Sequence, residues 1–171
     1  MFACEPLAVG ARRVSFRSAA PADTAFLREL YGSTREAEPR PVPWTPEQKA
    51  AFVAQQFAAQ SDAYVKNYPG AEFLIVVVDD RHAGRLCLHE RTDEIRIMDV
   101  ALMPPFRNLG IGSAVLRRVL DQGAASHRRV SIHVEVFNPA LRLYARLGFR
   151  EVSRTDVYAL MERGPAIPAA G

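Results

Sequence analysis

The spacing of apolar residues changes along the chain, and each change marks an expected element. Val14 to Arg17 alternates apolar and polar positions and reads as a short strand. After Pro21, Phe26, Leu27, Leu30 and Tyr31 fall at helical spacing, which predicts a helix. Pro39, Pro41 and Pro43 make Glu36 to Pro43 a loop. Thr45-Pro46-Glu47-Gln48 opens a second helix, with a threonine cap, proline in the first turn and glutamine in capping-box position. That helix is expected to reach about Lys66, with Val53, Phe57 and Tyr64 on its inner side, and to end at Tyr68-Pro69-Gly70.

Three strands should follow in quick succession. Phe73 to Val78 is continuously apolar, as in a strand covered on both faces. Turns at Asp79-Asp80-Arg81-His82 and Arg91-Thr92-Asp93 deliver Gly84 to His89 and Glu94 to Leu102 as the next two. Pro104-Pro105 prevents the third from continuing as a paired central strand. Val115, Leu116, Val119 and Leu120 then form one stripe of a helix from Ile111 to about Ala125. Val130 to Phe137 reads as a strand, Asn138-Pro139 as the cap of a short helix closing at Gly148, and Phe149 to Val152 and Val157 to Met161 as final strands. The order β-α-α-β-β-β-α-β-α-β-β predicts an α/β protein with a mixed sheet carrying helices on its faces. One domain is expected over residues 14–162, with 1–13 as an extension and 163–171 as a flexible tail.

Composition narrows this picture only slightly. Of the 171 residues 49% are hydrophobic, enough for a packed core, and no apolar run is long enough for a membrane helix. Met1 to Gly10 has no basic cap ahead of an apolar stretch, so a cytoplasmic location is expected. Cys4 and Cys87 match no metal or redox spacing, and no metal is implied. The net charge of +3 comes mainly from scattered arginines, which suits a small anionic ligand and argues against nucleic acid.

Candidate chemistry concentrates between Asp99 and Gly112. There a strand ends in prolines and Arg107-x-x-Gly110-x-Gly112 opens a helix. Two glycines allow close approach to the backbone, and first-turn N–H groups have no intrahelical partner, so the turn is an anion site of pyrophosphate size. No Lys-Ser/Thr follows at P-loop spacing, and no βαβ unit precedes the turn as a dinucleotide fold would require.

The stretch Leu102-Met103-Pro104-Pro105-Phe106-Arg107-Asn108-Leu109-Gly110-Ile111-Gly112-Ser113 closely resembles the acyl-CoA-binding motif of the Gcn5-related N-acetyltransferases (GNAT). Downstream, Asn138 to Phe149, ending Tyr144-Ala145-Arg146-Leu147-Gly148-Phe149, resembles the family's second motif, and the element order agrees from Val14 to Met161. The resemblance implies transfer of an acetyl group from acetyl-CoA to a primary amine, with no metal. It implies that the backbone of Val100, Ala101 and Leu102 pairs with the pantetheine. Arg107, Asn108, Leu109, Gly110, Ile111, Gly112 and Ser113 would form the pyrophosphate turn. Asn138 would lie near the pantetheine arm, and Tyr144 would protonate the leaving thiolate. Asn138 stands one residue nearer Tyr144 than in many relatives. The same fold also serves non-catalytic acyl-CoA sensors, and homodimers are common in it.

Direct attack requires a neutral amine and hence a base. Glu135, in the alternating stretch His133-Val134-Glu135-Val136, is the first candidate, with His133 on the same face and Asp99 or water as alternatives. Arg96 and Asp99 interrupt an apolar run and need partners: an Arg96–Glu135 or Arg96–Asp99 pair, or a contact with substrate. Simple alternation puts them on opposite faces unless a bulge intervenes. The acceptor amine should meet the loop Arg35 to Trp44, the first two helices and the strands around Arg85 to Arg96. Trp44, Tyr31, Phe57 and Tyr64 are candidate lining residues.

Overall fold

The computed structural model describes residues 1–2, 4–35 and 43–165, which form one eight-stranded mixed sheet with helices on both faces. In chain order the elements are β1 (Leu7–Val9), β2 (Arg12–Ser18), α1 (Thr24–Arg35), α2 (Pro46–Asn67), β3 (Glu72–Val78), β4 (Arg81–Glu90) and β5 (Glu94–Leu102). After these come α3 (Ile111–Ala125), β6 (Arg129–Glu135), α4 (Leu141–Arg146), β7 (Arg150–Arg154) and β8 (Tyr158–Arg163). Across the sheet the strands run β1-β2-β3-β4-β5-β6-β8-β7, antiparallel throughout except for the parallel pair β5–β6.

Local chemistry explains the boundaries. Thr45 Oγ1 accepts from Gln48 N at 3.2 Å while Gln48 Oε1 accepts from Thr45 N at 2.9 Å, so both orphan donors of the α2 start are met. Asp79 and Asp80 both take positive φ, at 47° and 62°, as a tight β3–β4 hairpin demands.

The two sheet faces differ in what they bury. On one, Leu74, Val76, Leu86, Leu88, Ile95, Ile97, Val130, Ile132 and Val134 pack with the α3 stripe, with Tyr144 of α4 and with Leu147 just after it. Each such aliphatic side chain stabilises the fold by about 1.5–3 kcal/mol. The other face carries α1 and α2, whose Tyr31 and Phe57 rings lie 6.0 Å apart. Of the long helix α2, only Phe57 is fully buried.

The chain departs from the sequence expectation at both ends. Leu7–Val9 forms a strand on β2, β2 begins at Arg12 rather than Val14, and Phe2 is buried edge-on against Phe16 at 5.1 Å. Phe2 therefore contributes to the core, and Leu7–Val9 with Arg12 and Arg13 to the sheet. Arg163 belongs to β8, and its Nη1 donates to Leu147 O at 2.9 Å. The helix placed directly after Asn138-Pro139 begins only at Leu141, following a turn. The expected loop at 36–43 and the end of the tail lie outside the described residues, save Pro43 and Gly164 to Pro165.

Gly84 marks the closest approach of β4 to β5. A Cβ there would strike Ala101 O and stand 2.8 Å from Leu102 Cδ2. Gly84→Ala is therefore expected to cost roughly 1–3 kcal/mol of stability, read as a lower urea midpoint. An unchanged midpoint would show that β5 yields freely at this point.

Candidate active site

The site begins where β5 and β6 part. Their parallel pairing runs from Glu94–Arg129 to Ile97–Ile132 and stops, although β5 continues to Leu102 and β6 to Glu135. From Met98 onward one edge of β5 has no strand beside it among the described residues. Peptide groups on such an edge keep half their hydrogen-bonding capacity for another extended chain.

A bulge adjusts the same stretch. Cys87 pairs with Asp99 and Leu88 with Ile97, so Met98 is the extra residue. The bulge puts Asp99 on the face that carries Arg96 and brings it to Arg85 of β4. Arg85 Nε donates to Asp99 Oδ2, Arg85 Nη2 donates to Gln60 Oε1 of α2 at 2.7 Å, and Tyr64 Oη donates to Met98 O at 3.3 Å. Burial and the Asp99 carboxylate push the Tyr64 phenol well above its usual pKa, and burial pushes the Cys87 thiol up to about 12. Neither expected partnership of Arg96, with Glu135 or with Asp99, forms. Asp99 is held by Arg85, and Arg96 instead lies 3.8 Å from Glu94. Because the Arg85 side chain is only 9% exposed, Asp99→Ala should destabilise the fold by about 2–3 kcal/mol. That is below a fully buried pair, since a quarter of Asp99 reaches solvent, and thermal denaturation should show the loss.

Beyond β5, the single 3-10 turn Pro104–Phe106 leads into the glycine turn. Asn108 and Gly110 are left-handed, with φ of 58° and 80°. Gly110 is the N-cap of α3, and Ala114 N bonds Gly110 O. Among the described residues no protein acceptor is bonded to the N–H groups from Asn108 to Ser113. A run of such donors at the positive end of a fifteen-residue helix is an anion cradle. At Gly112 a Cβ would lie 3.7 Å from Leu102 Cδ1, so the protein's own packing does not demand glycine there.

Arg107 behaves differently from its neighbours in the turn. Its N–H bonds Pro104 O, its Nε donates to Leu102 O at 2.8 Å, and its Nη2 donates to Ser33 Oγ at 3.1 Å. It braces the end of β5 against α1, and these donors are already engaged within the protein.

The gap between β5 and β6 opens into a cleft of about 530 Å³. Tyr31, Gln60, Tyr64, Tyr68 and Arg85 line it from the α1/α2 side, Met98 to Ala101 and Ile132 to Glu135 form its flanks, and Asn138, Tyr144 and Tyr158 complete it. Tyr144 is buried, with its ring edge-on to Phe149 at 5.6 Å. Burial first, and the Asp99 charge second, push its phenol well above the usual value, so it stays protonated at neutral pH. Burial and the Arg96 charge lower the His133 pKa, which favours a neutral imidazole. Glu135 is exposed at the end of β6. Asn138 Oδ1 accepts from Ala140 N at 2.9 Å, so this exposed side chain shapes the turn into α4 as well as lining the cleft.

Residues 27–149 match the acetyltransferase (GNAT) family. The chain belongs to that family. It has the GNAT fold. This acetyltransferase is 30% identical over 107 residues to N-acetylaspartate synthetase of Rattus norvegicus, covering 60% of the chain. It spans only 36% of that protein's length. Among solved structures, PaiA N-acetyltransferase from Thermoplasma acidophilum in complex with coenzyme A superimposes with a TM-score of 0.67. That match is 14% identical and covers 88% of this chain and 98% of the other. Arabidopsis thaliana Naa50, in complex with the bisubstrate analogue CoA-Ac-MVNAL, gives 0.57 at 18% identity and the same coverages.

The positions singled out in the sequence divide between the β5–β6 cleft and the glycine turn, since Leu102 and Arg107 to Ser113 are not among the residues lining the cleft. Val100, Ala101, Glu135, Asn138 and Tyr144 line it, and Tyr31 and Tyr64 form part of its wall. Phe57 instead lines a smaller cavity behind α2, and Trp44 is exposed, its ring tilted against that of Phe52 at 4.9 Å. Arg85 and Gln60 were not individually apparent. The available signal for the first was a single arginine within the apolar run of β4.

Proposed function

We propose that this enzyme transfers the acetyl group of acetyl-CoA directly to a primary amine in the β5–β6 cleft. The observation that carries the reading is the continuity of three features. Met98 to Ala101 of the unpaired β5 edge and the buried Tyr144 line one cleft, and the unbonded amides from Asn108 to Ser113 follow the end of the same strand.

In this reading Val100 to Leu102 pair with the pantetheine as an added strand would, and the amides from Asn108 to Ser113 hold the pyrophosphate. A backbone N–H on the open edge of β5 polarises the thioester carbonyl. The amine nitrogen bonds to the carbonyl carbon as the carbon–sulfur bond breaks. Tyr144 gives its proton to the departing sulfur, and Glu135, directly or through water, takes the proton lost by the amine. His133, neutral and on the same face, is the alternative acceptor of that proton. The Rattus norvegicus relative and the Naa50 complex point to different amines, an amino acid and a peptide N-terminus, and both are primary amines.

Thiol release from acetyl-CoA across a panel of amines, amino acids and peptides tests the proposal. Turnover with at least one class supports it. Tight acetyl-CoA binding with no thiol release from any acceptor would leave a sensor in its place.

A further inference from the structure

We infer that the acceptor amine carries a carboxylate and that the Arg96 guanidinium recognises it; this rests on the transferase reading above. Of the other arginines lining the cleft, Arg85 is bonded to Asp99 and Gln60, and the Arg35 guanidinium lies over the Tyr31 ring at 5.1 Å. Arg96 lines the cleft, with 21% of its side chain exposed, and makes no hydrogen bond to a protein acceptor among the described residues. Its Nε is buried without a partner, and the anion beside it, Glu94, stands at 3.8 Å.

Glu94 is poorly placed to satisfy that cation. Its Oε1 accepts from the buried Ser131 hydroxyl, and its Oε2 lies 3.8 Å from each of Arg91 and Arg129. The register partner of Arg96 on β4 is His89, whose Nδ1 is likewise buried without a partner. Directly opposed residues of an antiparallel pair share a face, so two unsatisfied polar side chains meet on this rung. The ring of His89 packs edge-on at 5.4 Å against Tyr68, which lines the cleft.

A guanidinium has five donors in a planar fork that matches a carboxylate, and leaving them without acceptors in a partly buried cleft is costly. A carboxylate on the acceptor supplies both the acceptors and the opposite charge, whereas a polyamine would be repelled. The cosubstrate's phosphates are not the ligand of Arg96. From Arg96 to the Leu102 end of β5 the strand runs roughly 15–20 Å, and the amide turn lies beyond that end.

The test is acetyl-CoA thiol release with L-aspartate, L-glutamate and L-methionine against their amides and the peptide Met-Val-Asn-Ala-Leu. Wild-type kcat/KM should favour at least one free acid over its amide by roughly 30-fold, as loss of a charge-assisted bidentate contact predicts. Arg96→Gln should remove most of that preference by raising KM for the acid. Its kcat/KM with the amide should fall far less than with the acid, and Arg96→Lys should restore part of the preference. Equal use of acids and amides, or an equal fall for both in Arg96→Gln, overturns the inference. So does turnover of the peptide alone, or acetyl-CoA binding with no acid turned over. Thiol release with amides or peptide leaves the transferase reading standing, whereas failure to bind acetyl-CoA in calorimetry removes that reading too.

Discussion

Tyr144→Phe should lower kcat about 10–100-fold while leaving acetyl-CoA affinity within about twofold, a loss of roughly 1.4–2.7 kcal/mol of transition-state stabilisation. The substitution removes a hydroxyl and keeps the ring, so the edge-on contact with Phe149 and the packing of α4 persist. The physical argument rests on where the phenol sits. A phenol is protonated at neutral pH, and burial with the nearby Asp99 charge raises its pKa further, so the proton is present when the thiolate departs. Single-turnover rates combined with calorimetric acetyl-CoA binding separate the two quantities. Unchanged turnover would remove Tyr144 from the acid role and leave it a packing residue.

Gly112→Asp should abolish detectable acetyl-CoA binding and leave the fold intact. A Cβ at this position would stand in ordinary van der Waals contact, 3.7 Å from Leu102 Cδ1, so packing tolerates the substitution. An aspartate in the first turn of α3 is also favourable for an isolated helix, since its charge opposes the helix dipole. The same carboxylate would fill the cradle formed by the amides from Asn108 to Ser113 and repel a pyrophosphate. Calorimetry gives the affinity and thermal denaturation the stability. Retained affinity would contradict the placement of the pyrophosphate at this turn, while lost stability would point to a packing defect.

The parts of the site that were legible in the sequence are those encoded locally. The glycine turn, its prolines and the Tyr144-to-Phe149 segment each lie within a dozen residues, and backbone geometry follows from residue type there. The face of Asp99 was not legible, because it depends on whether Met98 bulges, and that is set by pairing with β4. Nor was the Arg85–Asp99–Gln60 arrangement, whose members come from three elements distant in sequence. Strand β1 escaped notice because Leu7–Val9 is too short to display a period. Arg96 was apparent as an intrusion, yet its partner was misassigned. The buried Glu94, at the start of the same strand, reads in the sequence as an ordinary turn-flanking carboxylate.

Amide hydrogen exchange with and without saturating acetyl-CoA tests the central claim most directly, because it locates the ligand on the backbone. Slowed exchange at Asn108 to Ser113 together with Val100 to Leu102 is the predicted result. Unaltered exchange at both segments, with protection elsewhere in the chain, would contradict it.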